Sequence, residues 1–229
     1  DPLLRAELYR YFELAHYLDA KGEEKPFAPT MRKTADLLDA LRAITIVPTE
    51  TPTPSWLRGG AIAPPNEIIA CSNGLVHWPR RMLYPITPAY YVHHAVPFEF
   101  EAKAPEPKRW LEFLRELWGD DTDRIEALQE VFGYVVSGDT NQQKIFLFVG
   151  PKRSGKGTIA RVLTEMIGKH HGTGPTLASF ATNFGLQDLV GKALAIIADA
   201  RLGTRADGSI VTERLLSISG EDTLTVDRK

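Results

Sequence analysis

The sequence has little cysteine, no long apolar run and no excess of positive charge. Its single cysteine, Cys71, excludes an intramolecular disulfide bond and a cysteine-ligated zinc site. We therefore expect a reducing, cytoplasmic environment, and we interpret Cys71 as a small buried apolar residue rather than a catalytic thiol. No stretch is long and apolar enough to span a bilayer, so we expect no membrane partner.

The formal net charge of -2 gives no global basic field of the kind that marks many nucleic-acid-binding proteins. Any DNA contact would therefore need a local basic patch or assembly into a ring. The composition, 43% hydrophobic and 24% charged over 229 residues, is typical of a globular protein with one or two cores. The sequence begins at Asp1 without an initiator methionine or a signal peptide, and it stops at Lys229 directly after a strand-like run, so we expect a fragment that is cut at both ends.

The first part of the sequence predicts two helices and a linker. Residues 3–20 place Leu4, Leu8 and Phe12 at helical spacing, and residues 31–43 repeat the pattern with Thr30 as an N-cap candidate. Prolines and glycines crowd residues 48–65, which predicts an extended connection. We therefore interpret residues 1–62 as a helical accessory region followed by a proline-rich linker.

Residues 63–140 are predicted to form a mixed, largely helical domain. Short strands with a tight turn at Asn73-Gly74 are expected between residues 67 and 91. Two amphipathic helices follow, the second preceded by cap candidates at residues 120–123. Their apolar faces consist of Trp110, Phe113, Leu114, Leu117 and Trp118 in the first helix, and Ile125, Leu128, Val131, Phe132 and Val135 in the second. Apolar residues at this spacing indicate scaffold rather than a binding site.

The strongest chemical signal begins after residue 144. Residues 145–149 are continuously apolar, which predicts a buried parallel strand, and a helical pattern runs from Ile159 to Met166 and ends at Gly168. The loop between them is the candidate ATP-binding segment. It consists of Gly150, Pro151, Lys152, Arg153, Ser154, Gly155, Lys156, Gly157 and Thr158.

A strand, a glycine-rich loop and a helix in this order predict a phosphate-binding loop. Gly150 and Gly155 permit a backbone whose N–H groups converge on phosphate oxygens, and the helix N-terminus adds positive charge. Lys156 would reach the β- and γ-phosphates, and Thr158 or Ser154 would supply a hydroxyl near Mg²⁺. The hydroxyl residue that usually follows the lysine is replaced by Gly157, which makes coordination through Thr158 indirect. A chance glycine-rich turn is the alternative.

A second apolar run, residues 194–198, ends at Asp199. An acid at the end of a strand beside a phosphate-binding loop holds Mg²⁺ or polarises the attacking water, so Asp199 is a candidate catalytic residue and metal ligand. The alternative is an aspartate that merely caps the next turn. Because Ala200 replaces a second acid, Asp199 combines roles or the catalytic base lies elsewhere.

The remaining sequence predicts a helix over residues 209–219 and a strand over residues 223–226. Arg228 and Lys229 follow, and on residue type alone a solvated charge pair is the simpler interpretation. The fold class predicted by all these patterns is α/β. It is a P-loop NTPase core at residues 141–229 with a parallel sheet that is truncated at its C-terminus, preceded by a mostly helical N-terminal region.

Residues 67–229 resemble the helicase portion of phage- and plasmid-type DNA primases, which are related to the poxvirus primase–helicase. The matching pieces are the segments 69–74, 87–88, 110–114, 132–134, 150–158, 198–201 and 215–222. The resemblance implies a superfamily 3 helicase that couples ATP hydrolysis to translocation on single-stranded DNA. It also implies a homo-oligomeric, hexameric ring, further replication proteins as candidate partners, and a bacterial host cytoplasm with phage, prophage or plasmid origin.

The same resemblance implies a hairpin that reaches into the central channel, with Thr225, Arg228 and Lys229 as DNA-contact candidates. The family's sensor asparagine and arginine finger are expected beyond Lys229, so we expect this chain alone to bind ATP better than it hydrolyses it. A DNA-priming site, if the protein has one, is expected before Asp1.

Two other functions compete with a helicase. The loop also resembles that of adenylate-kinase-like enzymes, which displace the threonine in the same way and transfer phosphate to small molecules. Such kinases place the loop near the N-terminus, whereas here it begins at residue 150. A non-enzymatic alternative is an adaptor that binds ATP to assemble, and its turnover would not respond to DNA.

Overall fold

The computed structural model describes residues 2–200 and 208–227. The chain divides into two compact units, residues 1–51 and 52–229. The first boundary therefore falls inside the proline-rich stretch, whereas our division into residues 1–62, 63–140 and 141–229 stays a prediction.

The first unit combines two helices with a β-hairpin. Helix α1 spans Pro2–Glu13 and helix α2 spans Met31–Ile44. Between them, strands β1 (His16–Leu18) and β2 (Glu24–Pro26) pair antiparallel. The hydroxyl of Thr30 accepts a hydrogen bond from a backbone N–H at the start of α2, which confirms the predicted N-cap.

Helix α1 ends at Glu13, so the prediction of a helix over residues 3–20 was wrong at its end. The side chain of Asp19 accepts hydrogen bonds from the backbone N–H groups of Lys21 and Glu23, at 2.8 and 3.0 Å. Gly22 adopts a φ of 77°, which L-residues rarely do. Together these features form the hairpin turn that replaces the last helical turns.

Small antiparallel sheets open the second unit. Strands β4 (Ile68–Cys71), β5 (Gly74–His77) and β6 (Met82–Tyr84) form a three-stranded sheet. Strand β3 (Ser55–Trp56) pairs with β7 (Tyr90–Tyr91), so two residues of the predicted extended linker form a strand.

The turn between β4 and β5 lies one residue earlier than predicted. Cys71 pairs with Gly74, so Ser72 and Asn73 form the loop and Gly74 already belongs to β5. A Cβ atom at Gly74 would lie 2.5 Å from the carbonyl oxygen of Tyr84, which explains the glycine. Cys71 is buried as predicted, and burial raises the pKa of its thiol.

Three helices build the largest core of the second unit. They are α3 (Lys108–Trp118), α4 (Thr122–Ser137) and α5 (Lys156–Ile167). The first two confirm the predicted amphipathic helices, and Asp121 caps α4 as expected of one of the cap candidates. The buried residues that join the three helices are Leu114, Leu128, Phe132, Ile159 and Leu163.

The last elements are a pair of short strands and a helix. Strands β8 (Gly172–Thr173) and β9 (Leu194–Ala195) form a parallel pair, and helix α6 spans Gly208–Ser219, close to the predicted range. Residues 223–226 form no strand, contrary to prediction. Instead, Leu224 and Val226 pack against an apolar cluster around Val211.

Residues 145–149 are not assigned to a strand, although they were predicted to form a buried one. Leu147 is 76% exposed and Val149 is 84% exposed. Strand formation needs a neighbouring strand, and none of the described residues pairs with this run. The parallel sheet of a P-loop core therefore stays a prediction, and the described architecture is mixed α/β with small sheets.

Among the helices of residues 2–200 and 208–227, none is long and apolar enough to cross a membrane.

Candidate nucleotide-binding site

The candidate loop forms a tight turn that leads directly into helix α5. Arg153 and Gly155 adopt left-handed conformations, with φ of 63° and 77°. The carbonyl oxygen of Gly155 accepts hydrogen bonds from the backbone N–H groups of Thr158 and Ile159, at 2.9 and 3.1 Å. These bonds begin the helix immediately after the loop, so the backbone N–H groups of its first turn lie beside the loop.

Lys156 lies across the loop. Its ammonium group donates hydrogen bonds to the carbonyl oxygens of Gly150 and Pro151, at 2.8 and 2.7 Å, and to the hydroxyl of Ser154, at 3.1 Å. The positive charge is therefore held beside the backbone that would surround a phosphate. From this position the ammonium group would contact a phosphate bound in the loop as a point charge.

Asp199 contributes to the same cavity as the loop, although it lies 42 positions or more after the loop residues that line the cavity. The cavity has a volume of about 490 Å³. Its lining residues are Gly150, Lys152, Arg153, Ser154, Gly155, Lys156, Gly157, Ala198 and Asp199. The cavity is thus lined by one carboxylate, that of Asp199, and by three cationic side chains of the loop, Lys152, Arg153 and Lys156.

The two candidate hydroxyls differ in position. Ser154 lines the cavity, whereas Thr158 is outside the set of lining residues. The hydroxyl of Thr158 accepts a hydrogen bond from the guanidinium group of Arg161 at 3.1 Å. Gly157 occupies the position directly after the lysine, and the threonine that follows it does not line the cavity. The hydroxyl group in the cavity therefore belongs to Ser154.

The oxygen atoms in the cavity fit Mg²⁺ by type. Mg²⁺ in nucleotide sites is held by one or two carboxylates or hydroxyls together with phosphate oxygens and water. Asp199 and Ser154 supply a carboxylate and a hydroxyl. Within the described part of the chain, no group of three or more His, Cys, Asp or Glu side chains could hold a metal ion alone, so phosphate oxygens would have to complete this site.

Helix α3 supports the loop from behind, a contact that sequence reasoning missed. A Cβ atom at Gly155 would lie 2.7 Å from Cδ1 of Leu117 and 3.0 Å from Cζ of Phe113. The loop therefore rests on the apolar face of α3. The periodicity of α3 gave its apolar face but not the partner that covers it.

A group of histidines lies near the C-terminal end of α4 and was also missed. The rings of His94 and His171 are 5.9 Å apart, and Cε1 of His94 would be 2.9 Å from a Cβ atom at Gly138. Burial lowers the pKa of His94, and electrostatic interaction with His171 and His93 lowers it further. His94 is therefore held in its neutral form more strongly than an exposed histidine.

The DNA-contact candidates are only partly described. Thr225 is exposed in a segment without regular secondary structure. Arg228 and Lys229 lie outside the described residues. The predicted DNA contacts therefore stay predictions.

Two family models match separate parts of the chain. Residues 63–119, which contain strands β4–β7 and helix α3, match the family described as D5 N terminal like. Residues 148–229, which contain the candidate loop and Asp199, match a family of unknown function, DUF5906. The first match relates this segment to the D5-type primase–helicase family. No curated protein matches the chain in a sequence search.

Proposed function

We propose that this chain is part of an ATP-dependent DNA helicase module, in which ATP hydrolysis drives translocation on single-stranded DNA. The observation that carries the proposal is the cavity shared by the 150–157 loop and Asp199. A glycine-rich loop, a lysine and a distant carboxylate around one cavity are the parts from which P-loop enzymes build a triphosphate site. The D5 N-terminal-like segment supports a replication motor rather than another ATPase.

In this proposal the loop backbone and the first turn of α5 bind the phosphates of ATP. Lys156 exchanges its hydrogen bonds to the carbonyls of Gly150 and Pro151 for bonds to phosphate oxygens. Lys152 and Arg153 add positive charge at the mouth of the cavity. Charge-assisted bonds of this kind contribute about 1.5–3 kcal/mol each.

Asp199, together with the hydroxyl of Ser154 or Thr158, would hold Mg²⁺ against the phosphates. The ion would neutralise charge that develops on the phosphate oxygens during transfer. Asp199 would also orient the attacking water, since no second acid follows it in the sequence. In this proposal the carboxylate and the lysine, which line the same cavity, both act on the phosphates of ATP.

The relation to D5-type proteins supports the finer parts of the proposal, which are a superfamily 3 mechanism and a hexameric ring. A ring would allow a neighbouring subunit to complete each ATP site. It would also bring Thr225, Arg228 and Lys229 of several subunits around one DNA strand. Contacts from such residues to phosphates would be independent of sequence and sensitive to salt.

A nucleotide kinase is the second candidate, because the loop carries its threonine two residues after the lysine, as adenylate-kinase-like loops do. Such a kinase needs a second site for a nucleoside monophosphate. Turnover of ATP by the full-length polypeptide that contains this chain separates the candidates. It should be measured alone, with single-stranded DNA, and with each nucleoside monophosphate.

Stimulation by DNA that is lost in Lys156→Ala is the expected result. Turnover that ignores DNA but follows a monophosphate would establish the kinase instead. ATP binding with no turnover under any condition would indicate an adaptor that assembles on ATP.

A further inference from the structure

A second cavity is formed mainly by the segment that matches the D5 N-terminal-like family, together with Val136 of α4, and shares no lining residue with the cavity at Asp199. It has a volume of about 340 Å³. Its walls carry three aromatic side chains, Trp78, Phe98 and Phe100, and Arg81 also lines it. The remaining lining residues are Ile69, Cys71, Val76, Ala102 and Val136.

The aromatic walls are fixed by backbone contacts. The side chain of Asn73 accepts a hydrogen bond from the backbone N–H of Phe100 at 2.9 Å and donates one to its carbonyl oxygen at 3.0 Å. The backbone N–H of Ser72 donates to the carbonyl oxygen of Phe98 at 3.1 Å. Because both aromatic residues are tied to the β4–β5 turn, the cavity is formed before any ligand arrives.

The turn between β5 and β6 brings positive charge to this cavity. Arg80 and Arg81 are consecutive and exposed, and neither forms an ion pair with any residue that the structure describes. Arg81 adopts a φ of 51°, a left-handed conformation that is strained for arginine. Glu99 and Glu101 alternate with the aromatic residues and do not line the cavity.

Exposed aromatic surface beside unpaired cations is an unusual combination for a surface without a ligand. Trp78 is 51% exposed and Phe98 is 39% exposed. Large aromatic side chains are usually more deeply buried, and contiguous exposed apolar surface often marks a binding site. An apolar peptide would use the aromatic walls but not the two arginines. A nucleotide uses both, since its base stacks on aromatic rings and its phosphate binds arginine.

From this arrangement we infer that the cavity binds one base of single-stranded DNA, with the adjacent phosphates on Arg80 and Arg81. The choice of DNA as the ligand rests on the proposed helicase function. The aromatic walls of the cavity and Arg81 are observed independently of that proposal. The site is separate from Thr225, Arg228 and Lys229. It would give the segment before the proposed ATPase core a DNA contact of its own.

The test is binding of a labelled thymidine oligonucleotide of about 20 nucleotides to the full-length protein, followed by fluorescence anisotropy. We expect Trp78→Ala to weaken binding by about tenfold and Trp78→Phe to restore most of it, since phenylalanine still stacks. Arg81→Asn, chosen because asparagine tolerates the left-handed conformation, is expected to weaken binding and to lower the slope of log affinity against log salt by about one.

Matched controls are Phe184→Ala, which removes another aromatic ring that is 43% exposed, and Arg109→Gln, which removes another exposed arginine. Both are expected to bind like the wild type. An oligonucleotide with the same charge but without bases is expected to bind wild type and Trp78→Ala equally.

Wild-type binding by both Trp78→Ala and Arg81→Asn would overturn the inference, and retained DNA-stimulated ATP turnover would show that the proposed function survives. Competition for the cavity by an aromatic peptide but not by the oligonucleotide would also overturn it. Absence of all DNA binding by the wild type would reject both this inference and the helicase proposal.

Discussion

Gly155 and Leu117 are in such close contact that a Cβ atom at position 155 would lie 2.7 Å from Cδ1 of the leucine. This contact couples the phosphate-binding loop to helix α3, which carries the central buried residue Leu114. The loop therefore takes its shape both from its own glycines and from the helical core below it. Changes on α3 are expected to reach the ATP site through this contact.

Gly155→Ala is expected to lower stability by about 1–3 kcal/mol and to weaken ATP binding together with it. The added methyl group meets Leu117 and Phe113, and the φ of 77° is unfavourable for alanine. Thermal unfolding followed by circular dichroism measures the change. Gly157→Ala is the matched control, because the nearest atom to its Cβ is Nη1 of Arg161 at 3.9 Å. It is expected to be neutral or stabilising, and equal melting of the two variants would contradict this account of the loop.

Asp199→Asn is expected to remove the gain in nucleotide affinity that Mg²⁺ provides, by about tenfold, and to leave binding in the presence of EDTA nearly unchanged. The substitution keeps the size of the side chain and removes its charge. Calorimetric titration with an ATP analogue, with and without Mg²⁺, measures both values. Asp188→Asn, at an exposed position, serves as control. If the asparagine variant keeps the full effect of Mg²⁺, Asp199 has only a structural role.

His94 is expected to make the second unit less stable in acid. Its pKa is lowered in the folded state from an ordinary value of 6.5, so the unfolded chain binds more protons as the pH falls through this value. The contribution to stability is complete above the ordinary pKa and is lost as the pH falls towards the lowered one. Melting temperatures at about pH 7.5 and about pH 5.5 measure the loss.

His94→Gln is expected to reduce the difference between these two melting temperatures. His16→Gln, which removes an exposed histidine of the first unit, is expected to keep it. An unchanged difference in the His94 variant would show that other groups cause the acid sensitivity.

Sequence patterns predicted the parts of this protein that depend on local spacing. The apolar face of α3, the caps at Thr30 and Asp121, and the glycine-rich turn that leads into α5 all follow from residues within a few positions of each other. These features could be predicted because helix periodicity, capping and glycine-rich turns are local properties of the chain.

The features that were missed depend on partners far away in sequence. Asn73 was interpreted as a turn residue, yet its side chain also binds the backbone of Phe100, 27 residues later. Residues 145–149 have the composition of a buried strand, but a strand is defined by a neighbour that no local pattern specifies. The end of α1 was missed because the turn built by Asp19 and Gly22 outweighs the helical spacing before it.

The central claim is that the loop around Lys156 is a nucleoside triphosphate site, and the affinity of the chain for a Mg²⁺-bound ATP analogue tests it most directly. Titration calorimetry is expected to show binding that Lys156→Ala weakens by at least about tenfold, because a charge-assisted contact to phosphate is lost. Lys169→Ala removes an exposed lysine paired with Glu165 and is expected to bind like the wild type. Equal affinities of Lys156→Ala and the wild type, with folding intact by circular dichroism, would contradict the claim.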